Sequence, residues 1–421
     1  MFDVFSDAFS YLGSQSPTSL LGLYWFVVIF ELPRYGLAFL AAAFFFGRGK
    51  TAFIPGPQRP KVSVIIAGHN EEHAIETCVS SLWEQSVPPD EIVVVSDGSS
   101  DKMRDKLADL MRRGLIHKAH ATDLRSGKSA ATNMAKRMAS GDIIINIDCD
   151  CSFDRDAFKN IVGPFADPEV GAVSGNILTR NYRETIISTF QAIEYLISIS
   201  LGKQALDMVD QVSCASGAFS AFRREAMEDV GGLDSGGGED LDVTLRLRGA
   251  GWKIRFAPDA ICYTDTPSTL LALTKQRFRW ERDAIRLRYR KHSNLMNPLS
   301  PGFRPSEAFH EIEFLFFNVL ASAALPFYCL WLFAAYGDAA ISILLSVQVG
   351  MAVIDLCVFS LAALATPMAN ALSLGPYVLG YSIFNGFVMR FIRLSAYIQE
   401  WLFYASYRDT YVPDKVHNVR F

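Results

Sequence analysis

Cysteine is scarce and unhelpfully spaced in this chain of 421 residues: Cys78, Cys149, Cys151, Cys214, Cys262, Cys329 and Cys357 make seven, an odd number without a C-x-x-C pair. That excludes a disulfide framework and a paired-cysteine zinc site, and it favours a reducing compartment for the aqueous part. Net charge is slight too, −4 from 40 basic and 44 acidic residues. The basic residues gather locally and do not cover a domain, so no nucleic acid is expected as a partner. Positions 1–18 carry Asp3 and Asp7 but no Lys or Arg. A cleaved signal peptide needs a basic start, so the apolar stretch that follows reads as an anchor. Internal repeats and low-complexity tracts are absent as well.

What is present is largely apolar. Hydrophobic residues reach 50% and aromatics 12%, with a mean hydropathy of +0.18. That is high for a soluble enzyme, while 20% charged residues is too many for a chain wholly in lipid. The composition predicts a catalytic domain of ordinary size joined to membrane segments. Residues 19–46 suffice for one span, which needs about 20 residues, kinked or tilted where Glu31, Pro33 and Arg34 interrupt it. Arg48, Lys50, Arg59 and Lys61 follow, which places residues 1–18 outside the membrane and the chain from 50 onward in the cytoplasm. A proline-stiffened linker, 47–60, leads into the soluble part.

From Lys61 the pattern becomes strand, helix, strand, helix, strand, predicting a largely parallel sheet with right-handed crossovers. Polar residues collect at three successive strand ends: His69-Asn70-Glu71, Asp97 and Asp148-Cys149-Asp150. Ligands of such sheets sit beyond the carboxyl ends of the strands. Two carboxylates one residue apart at a strand end suit Mg²⁺ or Mn²⁺ carrying a diphosphate, although a D-x-D pair alone is a weak pattern that surface turns also produce. Downstream, Gly236-Gly-Gly-Glu-Asp-Leu-Asp242 puts Glu239, Asp240 and Asp242 at a helix start. Simple capping explains acids there; so does a general base aimed at a bound ligand.

The set His69-Asn70-Glu71, Asp97-Gly98-Ser99, Gly127-Lys128 and Asp148-Cys149-Asp150 resembles the first half of a family 2 glycosyltransferase, whose α/β fold is called GT-A, a mostly parallel nucleotide-diphospho-sugar transferase architecture. The resemblance implies that Asn70, Glu71 and Asp97 contact the uridine of a UDP-sugar and that Lys128 lies near its diphosphate. It gives Asp148 to the ribose and the metal and Asp150 to the metal. The family often shows two acids before the Gly-Ser, whereas this chain has Ser96-Asp97, and this departure falls on base recognition. Cys214 matches the family's cysteine in the strip under the acceptor sugar. Glu239-Asp240 matches a motif whose Asp is the base, with Glu239 on the acceptor side and Gly238 standing where many members have Thr. Gln276-Arg-Phe-Arg-Trp280 is similar to the QxxRW pattern of processive members, the cellulose, chitin, hyaluronan and poly-N-acetylglucosamine synthases. There Gln276 and Arg279 engage the diphosphate and Trp280 the acceptor, and Asp265-Thr-Pro-Ser-Thr-Leu270 forms a mobile gate.

Two helical stripes remain. Ile186, Ile187, Phe190, Ile193, Ile197 and Leu201 recur at helical spacing and fit either a membrane-surface helix or a core-facing one. Arg279, Arg282, Arg286 and Arg290 form a basic stripe suited to anionic headgroups. The stretch 314–337 has no charge and reads as a span. A second runs to about Ala365, with Asp355 turned away from lipid. Residues 371–389 read as re-entrant or interfacial, because one more crossing would put Arg390, Arg393, Arg408, Lys415 and Arg420 outside.

The expected layout is therefore an extracytoplasmic N-terminus (1–18), a transmembrane helix (19–46), a linker (47–60) and a cytoplasmic GT-A domain (61–265). A gating loop with the QxxRW interface helix (266–305) and C-terminal transmembrane and interfacial helices (306–421) follow. By resemblance the protein is an integral membrane enzyme of the inner or plasma membrane. It would polymerise a β-linked polysaccharide from UDP-glucose or UDP-N-acetylglucosamine by inversion and extrude it. Its partners would be the donor, the growing polysaccharide, membrane lipids and polysaccharide-export proteins. Two alternatives stand beside this: a nonprocessive transferase acting on a polyprenyl phosphate, which usually lacks QxxRW, and an inactive scaffold of an export complex.

Overall fold

The computed structural model describes residues 10, 13–33, 59–234, 236–300, 303–366, 368, 370–409 and 413. Most of the expected N-terminal tail, the second half of the first span, the linker up to residue 58, and Lys415 and Arg420 lie outside the described residues.

Eight strands form one sheet: β1 (Val62–Gly68), β2 (Glu91–Asp97), β3 (Lys118–Thr122), β4 (Ile143–Ile147), β5 (Ser152–Phe153), β6 (Val170–Thr179), β7 (Phe219–Arg223) and β8 (Lys253–Thr264). Their order is β3-β2-β1-β4-β7-β6-β8-β5. The first four run parallel, as the alternation of strands and helices requires. The second half is mixed, because β7 runs antiparallel to both its neighbours, β4 and β6, while β6 and β8 are parallel.

Both faces of the parallel half are covered, which is why its strands read as nearly unbroken apolar runs. Val64 and Ile66 of β1, Ile92 and Val94 of β2, and Ile145 and Ile147 of β4 pack against the apolar faces of α2 (Ile75–Trp83), α3 (Met103–Arg112) and α5 (Ala157–Val162), where α1 (Pro17–Leu23) is the N-terminal helix. On the other face Ile65, Val93, Val95 and Ile144 meet Ala131, Ala135 and Ala139 of and beside α4 (Lys128–Met138). Each fully buried Val or Ile contributes about 1.5–3 kcal/mol, so the strand ends sit on a rigid platform.

The stripe at 186–201 belongs to α6 (Ile186–Glu194), which continues through a wider-wound turn, Tyr195–Leu201, to Asp207. The core-facing reading holds. Phe190, Ile193, Leu196 and Leu201 are buried between Leu178 and Ile261 of the sheet and two later helices. α7 (Arg224–Asp229) and α8 (Glu239–Gly249) complete the sheet-bearing half, and α9 (Leu270–Arg286) leaves it.

Beyond α9, α10 (Pro305–Tyr336, 32 residues, mean hydropathy 1.7) and α11 (Ala339–Ala365, 27 residues, mean hydropathy 2.2) are long and apolar enough to cross a membrane. Residues 371–377 then form a tight turn containing Pro376, followed by α12 (Val378–Ile383), which runs on without a break into α13 (Arg390–Phe403). Leu23, Phe26 and Phe30 of the N-terminal segment pack on Leu325, Tyr328 and Leu332 of α10. Glu31 pairs with Arg390 in the interior, and Asp355 is buried, lining a cavity of about 40 Å³ with Gln348, Ser382 and Asn385. Both interruptions of the apolar segments thus face protein, where polar partners offset the cost of burial.

Candidate active site

Three loops meet beyond the carboxyl ends of β1, β2 and β4. Gly68 closes β1 where a Cβ would lie 2.5 Å from Cys149 Sγ and 2.8 Å from Met103 Cε. Asn70 follows in the left-handed region, φ 60°; its N–H donates to Ser99 Oγ (3.0 Å) and its Oδ1 accepts from the Ser100 N–H (2.8 Å). Asp97, buried at the end of β2, accepts the N–H groups of Ser126 (2.6 Å) and Gly127 (2.7 Å) on its two oxygens. Gly127 takes φ 93° and delivers Lys128 as the first residue of α4. Asn70 and Asp97 thus hold the loops together by their own side chains, and Asp97 presents no oxygen free of a backbone bond.

These loops enclose a cavity of about 320 Å³ lined by His69, Glu71, Asp97, Arg125, Lys128, Asp148 and Asp150, within the range of small-ligand sites. Five of the expected donor-site residues therefore share one wall. Arg125 was missed; a basic residue just ahead of the Gly-Lys pair was its available signal.

The charges in this cavity are unbalanced. Lys128 Nζ lies 2.6 Å from Asp148 Oδ1 and 3.6 Å from Glu239 Oε1. Burial, then the Asp148 charge, raises the Asp150 carboxyl above its ordinary range. Burial, then Asp150 and Asp148, does the same to Glu71. Like charges so placed resist joint ionisation and are relieved by a cation. Among the described residues no three His, Cys, Asp or Glu side chains form a cage for a metal ion. Two carboxylates fit Mg²⁺ or Mn²⁺ bound together with substrate phosphates and water, and do not fit a closed structural site.

On the other side of Lys128 stands Asp240, near the N-terminus of α8. The N-cap, Gly238, has φ 65°, and Asp240 Oδ2 accepts the Gly217 N–H at 3.2 Å. Asn146 Nδ2 donates to the Gly217 carbonyl at 3.0 Å, tying this strip to β4. Cys214 lies beside Asp240, and burial, then that carboxylate, pushes its thiol well above its usual range. Lys203, which sequence reasoning missed, is buried under the strip with Nζ 2.9 Å from Ser174 Oγ and 2.5 Å from Ser216 Oγ. Glu239 is largely enclosed, its side chain 12% exposed, and desolvation raises its carboxyl against the opposing pull of Lys128. Asp242 serves a different end. Burial opposes its ionisation, yet His292 and Lys291, together with the Arg246 charge, hold its carboxyl well below the usual range. Enclosed space lined by Lys128, Glu239 and Asp240 amounts to about 10 Å³, roughly what one water requires.

α9 carries the third group. Trp280 is 40% exposed, and the Arg277 guanidinium lies 4.7 Å from its ring centroid while donating to Glu194 Oε2 of α6 at 2.6 Å. This unforeseen arginine fixes the indole. Gln276 Oε1 is buried without a hydrogen-bond partner among the described residues, and Arg279 is half-buried next to Trp280. One turn later Asp283 and Arg286 grip the turn ahead of Asp240: Arg286 Nη2 donates to the Gly237 carbonyl (2.6 Å) and to Asp283 Oδ1 (2.9 Å). The basic stripe therefore departs from expectation. Arg282 pairs with Asp409 at 2.7 Å, Arg290 with Glu400 at 2.6 Å and with the Tyr404 ring at 4.0 Å. Periodicity exposed the arginines but not their partners: Arg282 and Arg290 are neutralised by acids of α13 and its tail and tie this segment to the C-terminal helices, while Arg286 serves Asp283 and the Gly237 carbonyl.

The sequence model of the glycosyltransferase-like family 2 matches residues 59–282, just over half of the 421. Among relatives, the poly-β-1,6-N-acetyl-D-glucosamine synthase of Staphylococcus epidermidis is 31% identical over 223 residues, 52% of this chain and 53% of that protein. Its namesake from Staphylococcus aureus strain COL is 32% identical over 221 residues, again 52% and 53%. The chain spans about half the length of these relatives. Among solved structures, the mannosyltransferase PcManGT from Pyrobaculum calidifontis, in complex with GDP-Man and Mn²⁺, superposes with a TM-score of 0.58 at 23% identity. It covers 87% of this chain and 99% of its own. At that identity the likeness shows the fold, GT-A.

Proposed function

The chain belongs to the family 2 glycosyltransferases, and from that premise we propose that it is a membrane-embedded, processive, inverting enzyme building a β-linked polysaccharide from a UDP-sugar. The names of its staphylococcal relatives favour N-acetylglucosamine as the sugar and a 1,6 linkage. One observation carries the reading: Lys128 reaches Asp148 with one hydrogen bond and Glu239, the neighbour of Asp240, at 3.6 Å. Donor-side carboxylates and an acceptor-side base thereby stand on either side of one cation.

In this reading the uridine and ribose occupy the cavity at Glu71, Arg125 and Asp148, with Asn70 and Asp97 shaping its loops. Asp150, with Asp148, would hold Mg²⁺ or Mn²⁺, which when bound neutralises charge on the departing diphosphate. Lys128 offers that diphosphate a second positive charge from a helix N-terminus. Gln276 and Arg279 add hydrogen bonds to it from α9. Asp240 removes the proton from the acceptor hydroxyl as the new glycosidic bond forms at the face opposite the leaving group. The terminal acceptor sugar stacks on the exposed face of Trp280 and extends over Cys214 and Glu239. Positioning and electrostatics supply most of the acceleration. α10, α11 and the N-terminal segment would anchor the enzyme with its catalytic half in the cytoplasm and give the polymer a way out, with export proteins and lipids as partners.

The test is direct. Purified full-length protein in lipid nanodiscs is given a panel of UDP-sugars with Mg²⁺ or Mn²⁺, and UDP release is followed. The product is then digested with linkage-specific glycosidases. UDP release with UDP-N-acetylglucosamine and a long product cut by a β-1,6-specific hydrolase are expected. A single sugar on a lipid carrier would instead support the nonprocessive alternative, and the absence of UDP release with every donor would favour the scaffold.

A further inference from the structure

Arg180 is a charged side chain to which the reading above gives no task. It stands immediately beyond β6, and its guanidinium serves two sets of acceptors. On one side Nη2 donates to the main-chain carbonyl of Asp150 at 2.5 Å and Nη1 to Ser152 Oγ at 3.2 Å. On the other, Nε and Nη2 form a two-pronged contact with the Asp265 carboxylate at 3.0 and 3.1 Å. Asp265 opens the short segment, 265–269, that joins β8 to α9 and so carries the Gln276–Trp280 motif.

The residues after Arg180 hold the same segment position by position. Asn181 brackets Thr266, accepting its N–H on Oδ1 and donating from Nδ2 to its carbonyl, both at 2.9 Å. Gln191 Nε2 donates to the Pro267 carbonyl at 2.7 Å, and Thr185 Oγ1 to the Ser268 carbonyl at 2.9 Å. In this clasp the link from Arg180 to Asp265 is the ionic one, and it is the link that also touches the D-x-D loop.

We propose that Arg180 is a diphosphate-binding residue held in reserve by Asp265. A nucleoside diphosphate bound at Asp148 and Asp150, as the donor-site reading on which this rests requires, brings phosphate oxygens next to a guanidinium already anchored on the Asp150 carbonyl. Phosphate and carboxylate recognise the same planar fork of N–H donors, so the two compete. The side chains of Asp265 and Arg180 are 54% and 37% exposed, so water takes over the solvation of Asp265 when it is displaced, and the phosphate gains the two-pronged partner that the carboxylate gives up. Occupation of the donor cavity thus loosens the first residue of the segment leading to α9.

Calorimetric titration of UDP into the purified full-length protein with Mn²⁺ tests this, because competition predicts opposite signs for the two partners. Asp265→Asn removes the competitor and tightens UDP binding several-fold, while Arg180→Ala weakens it by about tenfold, the loss of one charge-assisted contact. Arg180→Lys keeps the charge without the fork and falls between. Hydrogen exchange at 265–269 rises on UDP addition in the unaltered protein and is already high in Asp265→Asn. If the ion pair is only a brace, both variants shift UDP affinity the same way or not at all, and the proposal is overturned. Absence of UDP binding by the unaltered protein with either Mn²⁺ or Mg²⁺ would remove the donor-site reading and this proposal together. A normal Kd in the unaltered protein with like-signed variants removes this proposal alone.

Discussion

Arg286 on α9 donates to the carbonyl of Gly237 at 2.6 Å, and through that bond the helix bearing Gln276, Arg279 and Trp280 fixes the turn that aims Asp240. The fit leaves no spare room. A Cβ on Gly237 would lie 2.3 Å from Asp283 Oδ2, and one on Gly238, already at φ +65°, would lie 2.9 Å from Leu287 Cδ1. Glycine at 237 answers a close approach, and glycine at 238 both a close approach and a left-handed backbone.

Gly237→Ala is therefore expected to destabilise the protein by about 1–3 kcal/mol through overpacking and to reduce UDP release by shifting Asp240. The clash is with Asp283, so Asp283→Ala should recover part of both losses. Thermal melting and UDP release of the two single variants and the double variant form a cycle. Additive effects would show that α9 does not seat this turn.

Asp240→Asn keeps an oxygen for the Gly217 N–H and removes the proposed base. UDP release at saturating donor should fall by about 10²–10⁴-fold, with the donor KM and the melting temperature little changed. Glu239, the adjacent carboxylate, is turned toward Lys128 at 3.6 Å. A variant retaining more than a tenth of the rate would move the base elsewhere.

How much of this was readable beforehand differs from element to element. β1, β2 and β4 announce themselves because strands covered on both faces are unbroken Val and Ile runs, and the polar residues at their ends follow from the parallel arrangement. β6 is equally buried but contains Gly171, Ser174, Gly175 and Asn176, which dilute the apolar signal. Gly175 is there because the Phe219 ring lies 2.1 Å from where a Cβ would be, a tertiary reason that no local pattern carries. The same holds for Arg180 and Lys203, whose partners are at least 28 and at least 13 residues away in sequence, and for the ion pair of Arg277 with Glu194, 83 residues away. The arginine stripe is visible as a pattern, but the acids that neutralise Arg282 and Arg290, Asp409 and Glu400, come from more than 100 residues downstream.

Asp242 gives a pH signature. Its folded-state carboxyl is held below the ordinary range by His292, Lys291 and Arg246 despite burial. A depressed carboxylate contributes stability that is complete above its unfolded pKa, about 3.9, and is lost as pH falls through that value toward the folded one. Asp242→Asn should lower stability by about 3 kcal/mol at neutral pH, as breaking a buried pair does. The gap in melting temperature between variant and unaltered protein should narrow steadily below pH 4. A gap constant from pH 7 to pH 3 would contradict the ion-pair account.

The two carboxylates of the D-x-D pair should not be interchangeable. Asp148 has Lys128 at 2.6 Å, so its charge is partly neutralised within the protein. Among the described residues the Asp150 carboxylate has no such cation in contact; it accepts a 3.3 Å bond from Thr264 Oγ1, a long contact from the Cys151 thiol and its own backbone N–H, and burial with the Asp148 charge works against its ionisation. A divalent cation thus relieves Asp150 more than Asp148, and Asp150→Asn should raise the Mn²⁺ concentration needed for half-maximal UDP release by at least tenfold, the equivalent of about 1.4 kcal/mol of binding. Asp148→Asn should change the metal requirement less and the donor KM more, because it frees Lys128 from its partner and removes the group assigned to the ribose. EDTA should abolish UDP release in the unaltered protein, with recovery on adding Mg²⁺ or Mn²⁺. If Asp148→Asn shifts the metal titration further than Asp150→Asn, the division of labour is the reverse, and Lys128 must then leave Asp148 when the donor arrives.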